Sequence, residues 1–98
     1  MEIILEVTDK TGRKIHLSKE RWRHITTTHP EMVNYLDEIK ETIEKPLKIT
    51  PHTVKEGLRF YYTYQKHRKH PEKYLRLIIK YLNGDGFIIT AQFVRHIK

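Results

Sequence analysis

The sequence predicts an α+β fold in which an N-terminal hairpin and two helices pack on a roughly four-stranded antiparallel sheet. Two patterns indicate this fold. Between residues 18 and 44 apolar residues recur at helical spacing, and after residue 46 they alternate at the two-residue period of strands. The chain has 98 residues, the size of one ordinary domain, so we expect residues 1–98 to form a single domain.

The N-terminal half is expected to form a hairpin and then two helices. Residues 2–7 and 13–17 suit two short strands on either side of a turn. Ser18 is a favourable N-cap for a first helix that reaches about residue 28. Pro30 fits the first position of a second helix, because the N–H that it lacks is not needed there. The apolar face of this second helix consists of Met32, Leu36, Ile39 and Ile43.

The C-terminal half has the alternation of strands in residues 47–50, 58–65, 74–82 and 87–94. The glycines in residues 83–86 favour a hairpin between the last two. The helices are expected to cover one face of the sheet, with Phe60, Tyr62, Phe87 and Ala91 on the apolar side of their strands. The other face would gather Arg59, Tyr61, Thr63, Arg76, Lys80, Thr90 and Gln92. Cations beside hydroxyls on a rigid sheet suit phosphate chemistry, and an ordinary solvent-facing sheet is the alternative.

Positive charge is concentrated in one stretch of the chain. The formal net charge is +7, and residues 45–80 alone carry ten Lys and Arg against two Glu, a net charge of +8. Acidic residues gather instead in residues 31–44. This distribution predicts a positive face that attracts polyanions, among which nucleic acid is the commonest partner. The alternative is a small basic protein without a specific anionic partner.

The composition excludes several classes of protein. There is no Cys, so disulfides, thiolate nucleophiles and Cys-ligated zinc are excluded. No apolar run approaches the roughly 18–20 residues of a membrane span and no signal peptide is visible, so we expect a cytoplasmic protein with no membrane partner. Glycine-rich phosphate loops, Gly-x-Ser-x-Gly and His-Glu-x-x-His are absent. We therefore expect neither a cofactor nor a metal.

Two of the seven histidines lie on or just after the first predicted helix. His24 is one turn from Arg21 at the edge of the apolar stripe, where partial burial would suit a general acid or base. His29, just before Pro30, is interpreted as a buried histidine that satisfies a backbone group, with a catalytic role as the alternative. The basic loop of residues 66–70 holds two more and favours a nucleic-acid contact over a metal site. The remaining three, interpreted as surface residues, are His16, His52 and His96.

Six short motifs, in this order and spacing, resemble the PBECR proteins, which are phage-associated barnase–EndoU–colicin–RelE-like nucleases. The motifs are IHLSKERWRHI at residues 15–25, HPE at 29–31, IEKP at 43–46, FYY at 60–62, YLRLIIKY at 74–81 and GFIITA at 86–91. The resemblance covers roughly residues 13–93. It implies helices on a four-stranded antiparallel sheet and a metal-independent endoribonuclease. Such proteins are often the toxin of a toxin–antitoxin pair or a phage-borne effector.

The resemblance also implies a set of site residues. Carried over by position, these are Arg21, His24, His29, Tyr62, Lys80 and Thr90. His24 would be the general base or acid with His29 as its partner, Arg21 and Lys80 would hold the phosphate, and Thr90 would position it. In the alternation above Tyr62 and Lys80 lie on opposite faces unless a bulge intervenes. The residues expected to bind RNA are Arg59, Lys66, Arg68, Lys69, Lys73 and Arg76.

The leading hypothesis is therefore an enzyme that cleaves RNA by attack of the 2′-hydroxyl and leaves a 2′,3′-cyclic phosphate. An acidic antitoxin or immunity protein would be its protein partner. The first alternative is a non-catalytic RNA-binding module that uses the same basic sheet and loop. The second is a DNA-binding regulator, which the acidic second helix disfavours because phosphate would repel it.

Overall fold

The computed structural model describes residues 2–97 and has an α+β fold, as predicted. Its strands are β1 (Ile3–Thr8), β2 (Lys14–Ser18), β3 (Lys48–Pro51), β4 (Leu58–Tyr64), β5 (Tyr74–Leu82) and β6 (Asp85–Val94). Its helices are α1 (Lys19–Thr28), a short 3-10 helix (Pro30–Asn34) and α2 (Leu36–Glu44). The longest helix in the described part of the chain has ten residues, and none is long and apolar enough to cross a membrane.

The strands form one six-stranded mixed sheet, whereas four antiparallel strands were predicted. The spatial order is β1-β2-β6-β5-β4-β3, and every neighbouring pair is antiparallel except β2 and β6, which are parallel. The predicted N-terminal hairpin forms, but it extends the sheet instead of packing on it. The parallel pairing joins segments about 70 residues apart along the chain, so no local pattern in the sequence marks it.

The helical part starts where the sequence predicts and is divided differently. The Ser18 hydroxyl accepts a hydrogen bond from the Arg21 N–H at 3.1 Å and so caps α1. The prediction of a single second helix that begins at Pro30 was wrong. Residues 30–34 form a 3-10 turn, in which the Met32 N–H donates to the His29 carbonyl at 2.9 Å, and α2 begins only at Leu36.

The helices cover one face of the sheet, which we call the helix-covered face. α1 packs on β2 and β6, whereas α2 contacts β1 on one side and β4 and β5 on the other, so the sheet curves around α2. The predicted apolar face of the second helix is confirmed as part of the core. Its fully buried members Met32, Ile39 and Ile43 contact a core that also contains Ile15, Leu17, Ile25, Leu75, Leu77, Ile79 and Ala91.

The two faces of β4 are the reverse of those predicted. Tyr61 pairs with buried Leu77 on β5, and the Thr63 hydroxyl lies 2.6 Å from the Thr42 hydroxyl on α2. Aromatic and polar residues occupy both sides of this strand, so hydropathy does not distinguish its faces. The buried hydroxyls of Tyr61 and Thr63 are tolerated because both have hydrogen-bond partners. The β4 residues on the helix-covered face are therefore Arg59, Tyr61 and Thr63.

A bulge in β6 changes the second predicted alternation. Thr90 pairs with Ile78 and Ile88 pairs with Ile79, so Ile89 is an extra residue on the β6 side. The predicted grouping of Phe87 with Ala91 was therefore wrong. Ile88, Ala91 and Phe93 face the helices, and the other side of β6 carries Phe87, Thr90, Gln92 and Val94.

We call the sheet surface away from the helices the open face. Tyr62 pairs with Arg76 there, and Lys80 pairs with Leu58 on one side and with Phe87 on the other. Tyr62 and Lys80 therefore share one face of the sheet, and the conflict that the sequence alternation predicted between them does not arise.

Candidate functional site

A cleft of about 400 Å³ opens where β2, β5 and β6 meet the first turn of α1. Two exposed cations, Arg21 and Lys80, border it, and both were predicted to hold phosphate. Its other lining residues are His16, Ser18, Glu20, Leu82, Phe87, Ile88 and Ile89. The cleft thus combines positive charge, an imidazole and an apolar wall.

Local structure explains how these side chains meet. The Ser18 cap fixes the start of α1 and so places Arg21 in its first turn. The pairing of Phe87 with Lys80 on one side and with His16 on the other aligns three strands in one row across the sheet. Neighbouring strands lie roughly 4.8 Å apart, so His16 and Lys80 are about 10 Å apart at the backbone, with Phe87 between them.

His16 is the residue of this site that the sequence interpretation missed. Its Nδ1 lies 3.2 Å from the Glu6 carboxylate and its Nε2 lies 3.2 Å from the Asp85 carboxylate. The ring stacks on Phe87 with a centroid distance of 5.2 Å, and only 13% of the side chain is exposed. The Asp85 contact is a hydrogen bond and the Glu6 contact is at ion-pair distance, so two carboxylates flank the imidazole. Glu6 and Asp85 are far apart in sequence, so only the strand pairing reveals this arrangement.

The two predicted α1 histidines lie outside the cleft lining. His24 is exposed, whereas partial burial was predicted, and it stands one helical turn beyond Arg21. His29 is half-buried at the C-terminal end of α1, where its N–H donates to the Ile25 carbonyl at 2.7 Å. Five positions separate the two, which is about 140° around a helix, so they do not share a face.

The two remaining predicted catalytic residues lie on the open face beyond the cleft. Thr90 is half-buried opposite Ile78 on β5. Tyr62 is completely buried, and its hydroxyl has no hydrogen-bond partner among the described residues. Of the six predicted catalytic residues, the cleft therefore brings together only Arg21 and Lys80.

The residues predicted to bind RNA include exposed cations and cations engaged in contacts within the protein. Lys66 and Lys69 are exposed in the loop between β4 and β5. The Arg68 Nε instead donates to the Glu72 carbonyl at 2.8 Å, its guanidinium lies 3.7 Å from the Phe93 ring centroid, and Lys73 donates to the Arg68 carbonyl. Arg68 and Lys73 therefore hold the loop together, which the basic composition of the stretch concealed.

The two predicted RNA-binding arginines of the sheet lie on opposite faces. Arg59 is on the helix-covered face, where its guanidinium lies 5.1 Å from the Tyr81 ring centroid, so its prediction as part of a polar face with Arg76 was wrong. Arg76 is on the open face, and its guanidinium lies 5.0 Å from the Phe60 ring centroid.

A buried hydrogen-bond network lies on the helix-covered face. Tyr61 donates to the Asp9 carboxylate at 2.5 Å and also contacts the Tyr81 hydroxyl at 2.5 Å. The other Asp9 oxygen accepts from the Thr11 N–H and hydroxyl and from the Arg13 N–H, at 2.7–2.9 Å. Burial, followed by the hydrogen bonds to Asp9 and Tyr81, raises the pKa of Tyr61 far above its ordinary value. Tyr61 therefore stays protonated and serves as a structural donor.

The same network predicts how stability depends on pH. Burial tends to raise the pKa of Asp9, but hydrogen bonds from Tyr61, Thr11 and Arg13 outweigh it, so the pKa of Asp9 is lowered from 3.8. A lowered folded-state pKa stabilises the fold above the unfolded-state pKa, and this stabilisation is lost as pH falls through the folded-state value. We expect Asp9→Asn to destabilise the protein at pH 7 by about 1.5–3 kcal/mol, the contribution of hydrogen bonds to a charged group.

Urea unfolding from pH 7 down to pH 2 would check this. The difference between wild type and Asp9→Asn should shrink below about pH 4. Asp37→Asn, at an exposed carboxylate in the first turn of α2, is the control. A difference for Asp9→Asn that is the same at all pH values would contradict the assignment of this network.

No group of three or more His, Asp or Glu side chains within residues 2–97 is arranged to hold a metal ion. Comparisons with protein-family models, with curated proteins and with solved structures find no match to this chain. The resemblance to PBECR nucleases therefore stays a prediction, and the chemistry of the cleft is the basis for a proposed function.

Proposed function

We propose that the protein is a metal-independent endoribonuclease with a barnase–EndoU–RelE-like arrangement. The observation that carries the proposal is the cleft, which holds the cations Arg21 and Lys80 and the imidazole of His16 in one lining. RNA cleavage by its own 2′-hydroxyl needs a proton acceptor, a proton donor and positive charge at the phosphate. The lining supplies the positive charge and one imidazole for proton transfer.

The reaction proceeds by transesterification within the RNA. A base removes the 2′-hydroxyl proton, the oxygen attacks the adjacent phosphorus, and the bond from phosphorus to the 5′-oxygen breaks. An acid returns a proton to that oxygen, so the products are a 2′,3′-cyclic phosphate and a 5′-hydroxyl. Arg21 and Lys80 would bind the non-bridging oxygens, where negative charge grows in the transition state.

Two histidines are suited to the proton transfers. His16 lies in the cleft wall with its Nδ1 3.2 Å from the Glu6 carboxylate, which would help to orient the imidazole. In the complex with RNA, the His16 Nε2 would contact the substrate in place of Asp85. His24 is exposed one turn beyond Arg21, so it would reach an RNA strand that extends from the cleft along α1.

The charge distribution supports a polyanionic substrate and an acidic inhibitor. Residues 45–80 carry a net charge of +8, and Lys66, Lys69 and Lys80 are exposed cations within this stretch. An RNA strand that contacts these cations would release counterions. An acidic antitoxin or immunity protein would compete for the same charges, as expected for a toxin or phage-type effector.

A second candidate function is a non-catalytic RNA-binding module. The observation that favours it is the engagement of both His16 nitrogens by carboxylates. In this case Arg21 and Lys80 would bind phosphate without any proton transfer. Both candidates predict binding to RNA, and only the nuclease predicts new chain ends.

End-group analysis of RNA incubated with the purified protein and EDTA separates the two. The nuclease should leave 2′,3′-cyclic phosphate and 5′-hydroxyl ends, and Lys80→Ala should reduce cleavage because it removes a phosphate contact. Lys10→Ala, at an exposed lysine in the β1–β2 turn, is the control. Intact RNA after incubation with wild-type protein that binds it would favour the binding module.

A further inference from the structure

A second feature of the open face lies outside the cleft, where β3, β4 and β5 run side by side. Phe60 on β4 is half-buried, and the His52 ring at the end of β3 lies beside it with a centroid distance of 5.3 Å. The Tyr62 ring packs edge-on at 6.3 Å, and the Arg76 guanidinium lies 5.0 Å from the Phe60 centroid. We call Phe60, His52 and Arg76 the aromatic platform.

Backbone hydrogen bonds fix the position of His52 in the platform. The His52 Nδ1 accepts from the Val54 N–H at 3.1 Å and from the Lys55 N–H at 3.0 Å. The backbone N–H of His52 donates to the Leu58 carbonyl at 3.1 Å. Ring orientation is therefore set by the loop backbone, and the neutral ring carries its proton on Nε2.

Unsatisfied polar atoms gather next to the platform. Among the buried side-chain polar atoms of residues 2–97, those without a hydrogen-bond partner are the Thr50 hydroxyl, the Tyr62 hydroxyl and the Arg76 Nε. Thr50 pairs directly with Phe60, and Tyr62 pairs with Arg76, so all three lie on adjacent strands of one face. Such groups are rare in native proteins, and each needs an explanation. Neighbouring side chains cover these atoms, so a ligand would reach them only after Phe60 or Arg76 shifts.

The platform lies close to the cleft. Phe60 pairs with Ile78, which is two residues from Lys80 on β5. Two residues along a strand and one strand across correspond to about 8 Å between backbones. A strand of RNA whose phosphate contacts Lys80 would therefore bring a neighbouring base over Phe60.

We propose that the aromatic platform binds an unpaired nucleobase of single-stranded RNA, stacked against the Phe60 ring and the Arg76 guanidinium that lies over it. The substrate identity rests on the proposed function, which supplies the RNA. Aromatic rings and arginine stack on the faces of bases, and the polar edge of a base suits the unsatisfied hydroxyl and N–H groups. A second copy of this chain fits less well, because its own net charge of +7 would oppose the cations of this face.

Binding of uncleavable oligonucleotides would test the platform independently of catalysis. A short single-stranded RNA with 2′-O-methyl riboses is compared with an abasic strand that has the same phosphates. Phe60→Ala should weaken binding of the base-containing strand by about 5- to 150-fold, the range measured for loss of one stacked base. Binding of the abasic strand and the salt dependence of affinity should stay the same, because no phosphate contact is lost.

Two further variants distinguish loss of base stacking from unfolding and from a general effect of replacing a phenylalanine. Phe60→Leu keeps an apolar side chain of similar size but removes the aromatic face, so it should reduce the same discrimination between strands. Phe93→Leu is the matched control, because Phe93 is also half-buried beneath an arginine but faces the helices. If Phe60→Leu weakens the binding of both strands equally, or weakens neither, the proposed role of the platform is wrong. Wild-type protein that binds neither strand would overturn the proposed function itself.

Discussion

We expect His16→Ala to reduce single-turnover cleavage of RNA by about 10²–10⁴-fold, the usual contribution of a general acid or base. RNA binding should change far less, because Arg21 and Lys80 make the phosphate contacts in the proposed site. The expectation rests on the position of His16 in the cleft lining and on the 3.2 Å contact of its Nδ1 with Glu6.

The competing explanation of the same geometry is structural. His16 separates the Glu6 and Asp85 carboxylates, so its removal would leave two like charges near each other. Both carboxylates are about half exposed, and water would screen their repulsion. We therefore expect a small loss of thermal stability, and cleavage must be expressed per folded molecule.

The assay should measure cleavage and melting temperature on the same preparation, with His24→Ala as a parallel variant. His96→Ala, at an exposed histidine outside the cleft, is the matched control. Glu6→Gln should give a smaller loss than His16→Ala, with a shifted pH profile, because Glu6 orients the imidazole and would not touch substrate. Cleavage by His16→Ala within threefold of wild type would remove His16 from the chemistry. A loss of cleavage in His24→Ala but not in His16→Ala would assign the proton transfer to α1.

The second large effect concerns the fold. We expect Ile39→Ala to lower the free energy of unfolding by about 2–5 kcal/mol, from lost transfer energy and the cavity that remains. Ile39 is fully buried in the middle of α2 and belongs to the core cluster with Ile43 and Leu77. The side chain has no exposed surface, so its removal should leave a cavity inside this cluster.

Urea denaturation with a comparison of m-values would measure the change. Lys40→Ala, at the exposed neighbouring position of α2, should change stability by less than about 0.5 kcal/mol. A change of that small size for Ile39→Ala would mean that α2 does not pack on the sheet through this face.

The local elements of this protein could be predicted because their signals are short-range. The Ser18 cap forms as predicted, the strand at residues 74–82 has the predicted bounds, and the core face of α2 is the predicted one. In each case the deciding interaction lies within a few residues, or the burial follows directly from an unambiguous apolar periodicity. The prediction of the two faces of β4 was wrong because the consecutive aromatic residues Phe60, Tyr61 and Tyr62 lie on both faces. The hydropathy of this strand therefore has no clear period.

The candidate site was only partly predictable for a related reason. Arg21 and Lys80 were identified, and the cleft contains both. His16 was missed because its importance depends on Glu6 from β1 and Asp85 from the β6 hairpin, which only the sheet order brings to it. Arg68 appeared free in a basic run, but its guanidinium is engaged by Glu72 and Phe93.

The sequence by itself determined the α+β class, the approximate positions of the helices and strands, and the concentration of positive charge in residues 45–80. Tertiary structure alone decided the parallel pairing of β2 with β6, the extra residue Ile89, and the faces on which β4 and β6 display their side chains. The reason is that strand pairing is a long-range choice, and a shift of one residue moves every side chain to the other face of the sheet. That choice placed His16 between two carboxylates and beside the cations of the cleft.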